Sequence, residues 1–388
     1  MQLTDKQEEG LKLAVEKYKA GKRYVVISGY AGSGKSTLVQ HIIAALQVNE
    51  RDVVYCAYTG KATLVLSRKG CKNVSTLHKF LYRARLNRLT GKYSFFPREC
   101  LEYPYKVAVI DELSMVPKDM WELILKHKIF VIALGDPGQL GPIKESNDTG
   151  MLKKPHVFLD EIMRQAEGNE IIKLSMDIRT GHPLLPFDGQ HVRVIESNEF
   201  SAGMLEWADQ ILCAKNDTRF NLNNEMRKYA CRSEEPEVGD KIICLTNYWE
   251  DLSDKEQDPL VNGTLGWITE CYKYYNHGLG IDVLNISMET ELGDTYSGLT
   301  IDYKLLTQNE SGLSKQDFIR LSKNPSTKAL IPKEFAYGYA ITTWKAQGSE
   351  WDNILLFEES FPWKTEDHRR YLYTGITRAS EKIVVVKK

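Results

Sequence analysis

The sequence predicts an α/β fold in two halves, the second interrupted by a small all-β segment. Near-continuous apolar runs ending in polar or acidic residues recur between helix-like stretches, as strands buried on both faces of a parallel sheet do. A glycine-rich turn, GYAGSGKST (29–37), joins one such run to one such helix. From about 237 to 330 the character changes, and strand-like pieces are broken by Asn-Gly and Gly.

In chain order, YVVISG (24–29) reads as a strand and Lys35 to about Leu46 as a helix. DVVYCAYT (52–59), KVAVIDE (106–112) and IFVIALGD (129–136) read as further buried strands whose carboxyl ends carry the working residues. Between them, RARLNRLTGKYSFFPR (83–98) has five basic residues, no acidic ones, and Tyr93, Phe95 and Phe96. Its LTGKY has turn chemistry, which suggests a small hairpin inserted in the first domain. A solvated loop with its aromatics folded back on the sheet fits the residues equally well. The second half alternates again: QILCAKN (210–216), a helix-like RFNLNNEMRKYA (219–230), NILLFEE (353–359), a helix around HRRYLYTGITRA (368–379), and KIVVVK (382–387). VGDKIICLTNYW, VNGTLGWITECYKYY and GIDVLNISM are the strand-like pieces of the β segment. The polar stretch NESGLSKQDFIRLSKNPSTKALIP after them reads as a mobile excursion.

A chain of 388 residues suggests two to three domains. Its hydrophobic share of 42% supplies a sizeable core. A net charge of −1 argues against a wholly basic nucleic-acid coat but leaves room for a local basic groove. No apolar run approaches the roughly 18 residues of a membrane helix. The start, MQLTDKQEEG, lacks a signal-peptide core. Seven scattered cysteines without a C-x-x-C pair read as reduced thiols in a cytoplasmic compartment, without zinc.

The phosphate loop fits G-x-x-x-x-G-K-[ST] between a strand and a helix, the context that makes this motif credible. Backbone N–H groups of Gly29, Ala31, Gly32, Ser33, Gly34 and Thr37 would cradle phosphates at a helix N-terminus. Lys35 would reach the β/γ-phosphates of ATP, and Ser36 would ligate Mg²⁺. In VIDELSMV, Asp111 and Glu112 end a buried strand, so one carboxylate can hold Mg²⁺ and its neighbour can polarise the attacking water. Gln139, in LGDPGQLGPI, is an uncharged donor and acceptor for the γ-phosphate and that water; plain turn chemistry from Asp136, Pro137 and Gly138 is the rival reading. Arg164 and Arg378 are candidate arginine fingers.

Taken together these motifs resemble superfamily 1 helicases of the RecD-like, 5′-to-3′ branch, in order over most of the chain. The resemblance implies two RecA-like domains in tandem with ATP between them. It implies domain 1 at 1–145, with a hairpin "pin" at about 83–104. Domain 2 falls at 146–236 and 331–388, with an SH3-like β insertion at 237–330. LTDKQEEGL resembles the adenine-reading motif, which puts Gln7 near the base. AYTGKATLVL and STLHKFLY resemble two strand-contacting motifs, which assigns DNA contacts to Thr59, Lys61, Thr76 and His78, with Thr63 and Lys79 as further donors. Thr76 also reads as a helix cap and His78 as a partly exposed helix residue. AITTWKAQGSEWD resembles the motif that links DNA to the γ-phosphate, with Thr343, Trp344 and Lys345 toward DNA and Gly348 toward nucleotide. Phe95 or Phe96 would stack on the terminal base pair.

Two positions depart from the family pattern. Trp344 stands where a histidine is usual, and it suits either base stacking or packing. Gly141 stands where proline is common. The resemblance implies a small phage-type helicase of replication or recombination that works as a monomer on single-stranded DNA and duplex junctions, beside a single-strand-binding protein.

Overall fold

The structure is a computed structural model that describes residues 3–86, 93–141, 149–160, 169–248, 260–323, 325–360 and 365–388. It resolves into two compact units: Met1–Arg83, Pro97–Ser197 and Gln347–Lys388 form the first, and Ala84–Phe96 and Asn198–Ala346 the second. Among the described residues no helix is long and apolar enough to cross a membrane.

The first unit is built on a six-stranded sheet. Its strands are β1 (Tyr24–Gly29), β2 (Val53–Ala57), β3 (Val74–Thr76), β6 (Val107–Ile110), β7 (Phe130–Gly135) and β8 (Val157–Leu159), in the order β3-β2-β6-β7-β1-β8. Every pairing in it is parallel. Val25, Val26, Ile27, Val107, Ala108, Ile110 and Ile132 are fully buried, because helices cover both faces. One face packs Ala14, Leu38 and Ile42; the other packs Leu77, Leu81, Trp121 and Ile124. The same unit contains β9 (Phe187–Asp188), β10 (Val192–Glu196), β18 (Trp351–Phe357) and β19 (Ala379–Lys387). There β19 lies parallel to both β18 and β10, and β9 closes on β10 antiparallel.

The second unit contains β11 (Gln210–Cys213) parallel to β17 (Ala340–Thr342). It also carries an antiparallel five-stranded sheet. Its strands are β12 (Lys241–Cys244), β13 (Leu265–Asn276), β14 (Ile281–Thr290), β15 (Thr295–Asp302) and β16 (Phe335–Tyr337), ordered β15-β14-β13-β12-β16. Ile242, Leu284, Ile286, Met288, Ile301 and Phe335 form its core. A separate two-stranded sheet pairs β4 (Tyr82–Leu86) with β5 (Tyr93–Pro97), at the position where the sequence suggested a hairpin.

The polar stretch after β15, which the sequence offered as an excursion without assigned elements, contains helix. Ser314 caps a helix over Lys315–Ser322, its hydroxyl accepting from the Asp317 amide and donating to that carboxylate. This is a capping pair that offsets the low hydrophobicity of the segment. Strands β10 and β15 also form where no strand was predicted.

Candidate nucleotide and nucleic-acid site

Strand β1 ends in the phosphate loop, and the helix Lys35–Leu46 starts directly after it. Gly34 opens that helix with φ 75°, a left-handed conformation that suits glycine, and no side chain caps the first amides. Those N–H groups are therefore free to receive an anion. At Gly29 a Cβ would come within 2.6 Å of Ser33 Oγ, so only glycine lets the loop fold this tightly. Lys35 Nζ donates to the carbonyls of Gly29 and Tyr30, both at 2.8 Å, which holds the ammonium inside the loop. Burial pushes its pKa down, opposed by Asp136 and Asp111. Gln7 is buried and completes the cap of the first helix with Thr4, and its Nε2 donates to Ser33 O at 3.2 Å. It thus braces the phosphate loop from behind.

Across from the loop, β6 delivers Asp111 and Glu112. Asp111 Oδ1 accepts from the Glu112 amide at 3.0 Å, and Glu112 takes a left-handed φ of 55°. Glu112 Oε2 is shut off from solvent with no hydrogen-bond partner. Burial, aided by Asp111, raises the Glu112 pKa to about 7, against the pull of Arg378, the Gly348 amide and Lys35. Gly348 lies with φ 76°, its Cβ position 3.1 Å from Ala62 Cβ and 3.4 Å from Glu112 Oε2. A larger residue there would crowd the carboxylate.

The end of β7 adds a residue that the sequence reading treated only as turn chemistry. Asp136 is buried, and its pKa is raised by that burial. Its Oδ1 accepts from the Gly138 amide at 2.9 Å, and its Oδ2 accepts from Tyr373 OH at 2.7 Å. The same hydroxyl accepts from the Ala31 amide in the phosphate loop at 3.3 Å. Beside it, Thr374 Oγ1 accepts from the Leu140 amide at 2.9 Å, and Gln347 Nε2 donates to Leu140 O at 3.0 Å. The helix Thr365–Ile376 is therefore tied to both the phosphate loop and the Gln139 loop, and Arg378 follows two residues after it. Arg378 is buried; its Nε donates to Thr374 O at 3.1 Å and its Nη1 to Ser349 O at 3.2 Å.

Lys35, Asp111, Glu112, Gln139, Gly348 and Arg378 thus belong to one compact unit, with Gln139 half-buried on its turn and Ser36 and Thr37 on the first helical turn. Arg164 lies outside the described residues. Sequence reasoning missed Asp136, Tyr373, Thr374, Gln347 and Arg179. The guanidinium of Arg179 lies over the Tyr30 ring, 3.1 Å from its centroid, beside a cleft of about 240 Å³. Asp136 was open to the strand-end rule already applied to Asp111; Gln347, Tyr373 and Thr374 lie within quoted stretches whose spacing does not show what they bond, and Arg179 carries no local signal.

The candidate DNA contacts fall in two groups. In the first unit, β2 and β3 pair in register Ala57↔Thr76, so Thr59 and Thr76 follow adjacent strand ends. Both hydroxyls cap helices, Thr59 accepting from the Ala62 amide and Thr76 from the Lys79 amide, each at 3.2 Å. Thr63 Oγ1 donates to Gly60 O. His78 sits between Tyr58 and Tyr82, with ring centroids 5.5 Å and 6.2 Å away, and burial lowers its pKa. Lys61 is buried with its ammonium 4.8 Å from the centroid of Trp351. Lys79 is exposed. In the second unit Thr343 is buried and donates to Cys213 O at 3.4 Å, while Trp344 is half-buried. Lys345 Nζ donates to Asn262 Oδ1 at 3.0 Å. Phe96 is 49% exposed. The side chain of Phe95 lies outside the described residues.

The cradle suits Mg²⁺-ATP. Uncapped amides and Lys35 offer donors to phosphate, Ser33 Oγ is a buried atom without a partner, and Glu112 Oε2 is another. Ser36 and Asp111 are the hard oxygen groups that could ligate Mg²⁺ there.

A family model described as an AAA domain matches residues 2–199, and one described as a UvrD-like helicase C-terminal domain matches 337–386. The ATP-dependent RecD2 DNA helicase of Deinococcus radiodurans is 26% identical over 94% of this chain and 47% of its own length. The ATP-dependent DNA helicase dda of Enterobacteria phage T4 is 27% identical over 46% of this chain and 43% of its own length. The chain thus spans about half the length of the curated relatives it matches. Among solved structures, Pif1 helicase from Candida albicans aligns with a TM-score of 0.56 at 18% identity, covering 100% of this chain and 94% of that one. Pif1 helicase from Bacteroides in complex with ADP-AlF3 and ssDNA aligns with a TM-score of 0.56 at 19% identity, covering 99% and 92%. These likenesses establish a common fold, with α/β sheets of the tandem RecA-like kind.

Proposed function

The chain belongs to the AAA-domain family, and from that premise we propose that it is an ATP-driven superfamily 1 DNA helicase of the RecD-like branch, moving 5′ to 3′ on single-stranded DNA. The observation that carries the reading is the Tyr373 hydroxyl. It joins the phosphate-loop amide of Ala31 to Asp136, on the helix that leads to Arg378. In this reading a change at the phosphates reaches Gln347, two residues after Lys345, through the turn whose Leu140 is bonded by both Thr374 and Gln347. Relatives named as ATP-dependent DNA helicases, and a fold neighbour crystallised with ssDNA, support DNA as the track.

In this reading Lys35 and the uncapped amides of the first helical turn hold the β/γ-phosphates, the Ala31 and Ser33 amides being already bonded to Tyr373 OH and Tyr30 O, and Ser36 and Asp111 hold Mg²⁺. Glu112, with its pKa near neutrality, takes the proton of the attacking water. Gln139 orients that water, and Arg378 with Arg164 offsets charge on the transferred phosphoryl group. Gln7 supports the loop near the base. We assign strand contacts to Thr59, Lys61, Thr76 and His78 in the first unit and, separately, to Thr343, Trp344 and Lys345 in the second. We place RecA-like domain 1 at 1–145 and domain 2 at 146–236 and 331–388. The five-stranded antiparallel sheet supports an SH3-like insertion at 237–330. The paired β4 and β5 support a pin, with Phe95 and Phe96 at the duplex junction. We propose a monomer, because two RecA-like domains in one chain would allow it to complete its own ATP site.

The test compares ATPase rate with and without single-stranded DNA and RNA, beside unwinding of duplexes with a 5′ or a 3′ tail. DNA stimulation with unwinding of the 5′-tailed duplex alone supports the proposal. Unwinding from the 3′ tail refutes the polarity, stimulation without unwinding indicates a protein-stripping translocase, and preference for RNA reassigns the track.

A further inference from the structure

We infer that Arg219 and Lys345 form a subsite for one backbone phosphate of a bound nucleic-acid strand, at the carboxyl ends of the paired strands β11 and β17. The inference rests on the helicase reading above and adds to it a residue, Arg219, that no motif pointed to.

The helix Asn216–Tyr229 carries two buried arginines about two turns apart. Arg227 is matched by a carboxylate: its Nε and Nη2 donate to the two oxygens of Asp240, both at 3.0 Å. Arg219 is buried to a similar degree, with 7% exposure, but its Nη2 donates to Asn309 Oδ1 at 2.9 Å, an amide oxygen without net charge. Lys345 is half-buried, and its ammonium likewise donates to an uncharged group, the Asn262 amide oxygen, at 3.0 Å. Burial and the neighbouring Arg219 guanidinium both work against the charged form of Lys345, and burial works against that of Arg219. Among the described residues no carboxylate offsets either. A desolvated cation without a counter-charge is costly, and two near each other more so, unless an anion completes the site.

The backbone fixes where that anion would sit. Strands β11 and β17 run parallel in register, with Cys213 opposite Thr342. Arg219 lies on the first turn of the helix after β11, and Lys345 lies three residues beyond β17. Asn223 locks the helix to β17 by bonding both the N–H and the C=O of Ala340, at 3.0 Å and 2.9 Å. Carboxyl ends of parallel strands are where open α/β sheets bind ligands. In the first unit Thr59 and Thr76 occupy the equivalent place after β2 and β3. A guanidinium and an ammonium offer only donors, which selects an anion with several acceptor oxygens, as a phosphodiester has.

The test is the salt dependence of binding to a labelled single-stranded oligothymidylate, for the parent protein, Arg219→Gln and Arg219→Lys. One phosphate contact contributes about 0.7 to the slope of log K against log salt for a single strand. With Lys345 left on the same phosphate, Arg219→Gln should therefore show a slope shallower by up to about 0.7 and weaker binding, and Arg219→Lys should restore the slope. A steep parent slope left unchanged in Arg219→Gln overturns this assignment and leaves the helicase reading standing. A parent protein that does not bind the oligonucleotide overturns both. Thermal stabilisation by inorganic phosphate alone, lost in Arg219→Gln while the slope is unchanged, overturns the strand in favour of a free anion. Glutamine can keep the bond to Asn309, so a fall in melting temperature without a change of slope marks a purely structural role and also overturns the subsite.

Discussion

Replacing Glu112 by Gln should stabilise the protein by an amount that grows as pH rises between 4.5 and about 7 and is full above that. The Glu112 carboxyl is held near pKa 7 in the folded chain, against an ordinary value of 4.5, chiefly by burial and by Asp111. Between those values the folded state binds more protons than the unfolded one, so this group's contribution falls as pH rises through the window. Above pH 7 the carboxylate must be held charged in a site that disfavours it. The displacement corresponds to about 3 kcal/mol at about 1.4 kcal/mol per unit. Glutamine keeps the shape and removes the charge. The assay is denaturation of nucleotide-free, Mg²⁺-free protein at pH 5 and pH 8, parent against Glu112→Gln. Taking the difference cancels the other titrating groups. The expected result is a gain of about 3 kcal/mol at pH 8 and under about 1 kcal/mol at pH 5, together with loss of ATPase activity. An equal effect at both pH values, or no gain at pH 8, would refute the claim that this carboxylate is stored at a cost to stability. A stability cost of this kind is what a catalytic base poised near the working pH requires.

Tyr373→Phe leaves Asp136 Oδ2 without its donor in a buried setting, so unfolding free energy should fall by about 1–3 kcal/mol in chemical denaturation. Phe96→Ala, at a half-exposed position, should leave stability and single-strand-stimulated ATPase near parental values and cut duplex unwinding. Equal loss of both activities would remove Phe96 from the pin. Asp240→Ala strands the buried Arg227 guanidinium and should cost about 3–5 kcal/mol, visible as a lowered midpoint in urea.

Much of the nucleotide site was legible because its rules are local. A glycine loop between a strand and a helix folds the same way wherever it occurs, and GYAGSGKST carries both flanking signals in a short window. Asp111 and Glu112 were legible because an apolar run dictates where a strand ends. The helix at Lys315–Ser322 was missed because composition was weighed above its Ser314–Asp317 capping pair. Strand β10 was missed although Val192, Val194 and Ile195 are buried while Arg193 is exposed. A short alternation of that kind is easily lost between helices.

By itself the sequence determined the phosphate loop, the strand ends that carry the carboxylates, the parallel α/β framework and the family. Each rests on contacts within a few residues or on apolar periodicity. Tertiary structure alone decided that Tyr373 would join Ala31 to Asp136, that Lys61 would be buried against Trp351, and that Arg219 would meet an amide where Arg227 meets a carboxylate. Those outcomes depend on which side chains share a desolvated volume. Tyr373 and Asp136 are 237 residues apart in the chain, and no spacing rule reaches that far. Burial makes such pairings strong, and only the packed fold sets which groups are buried together.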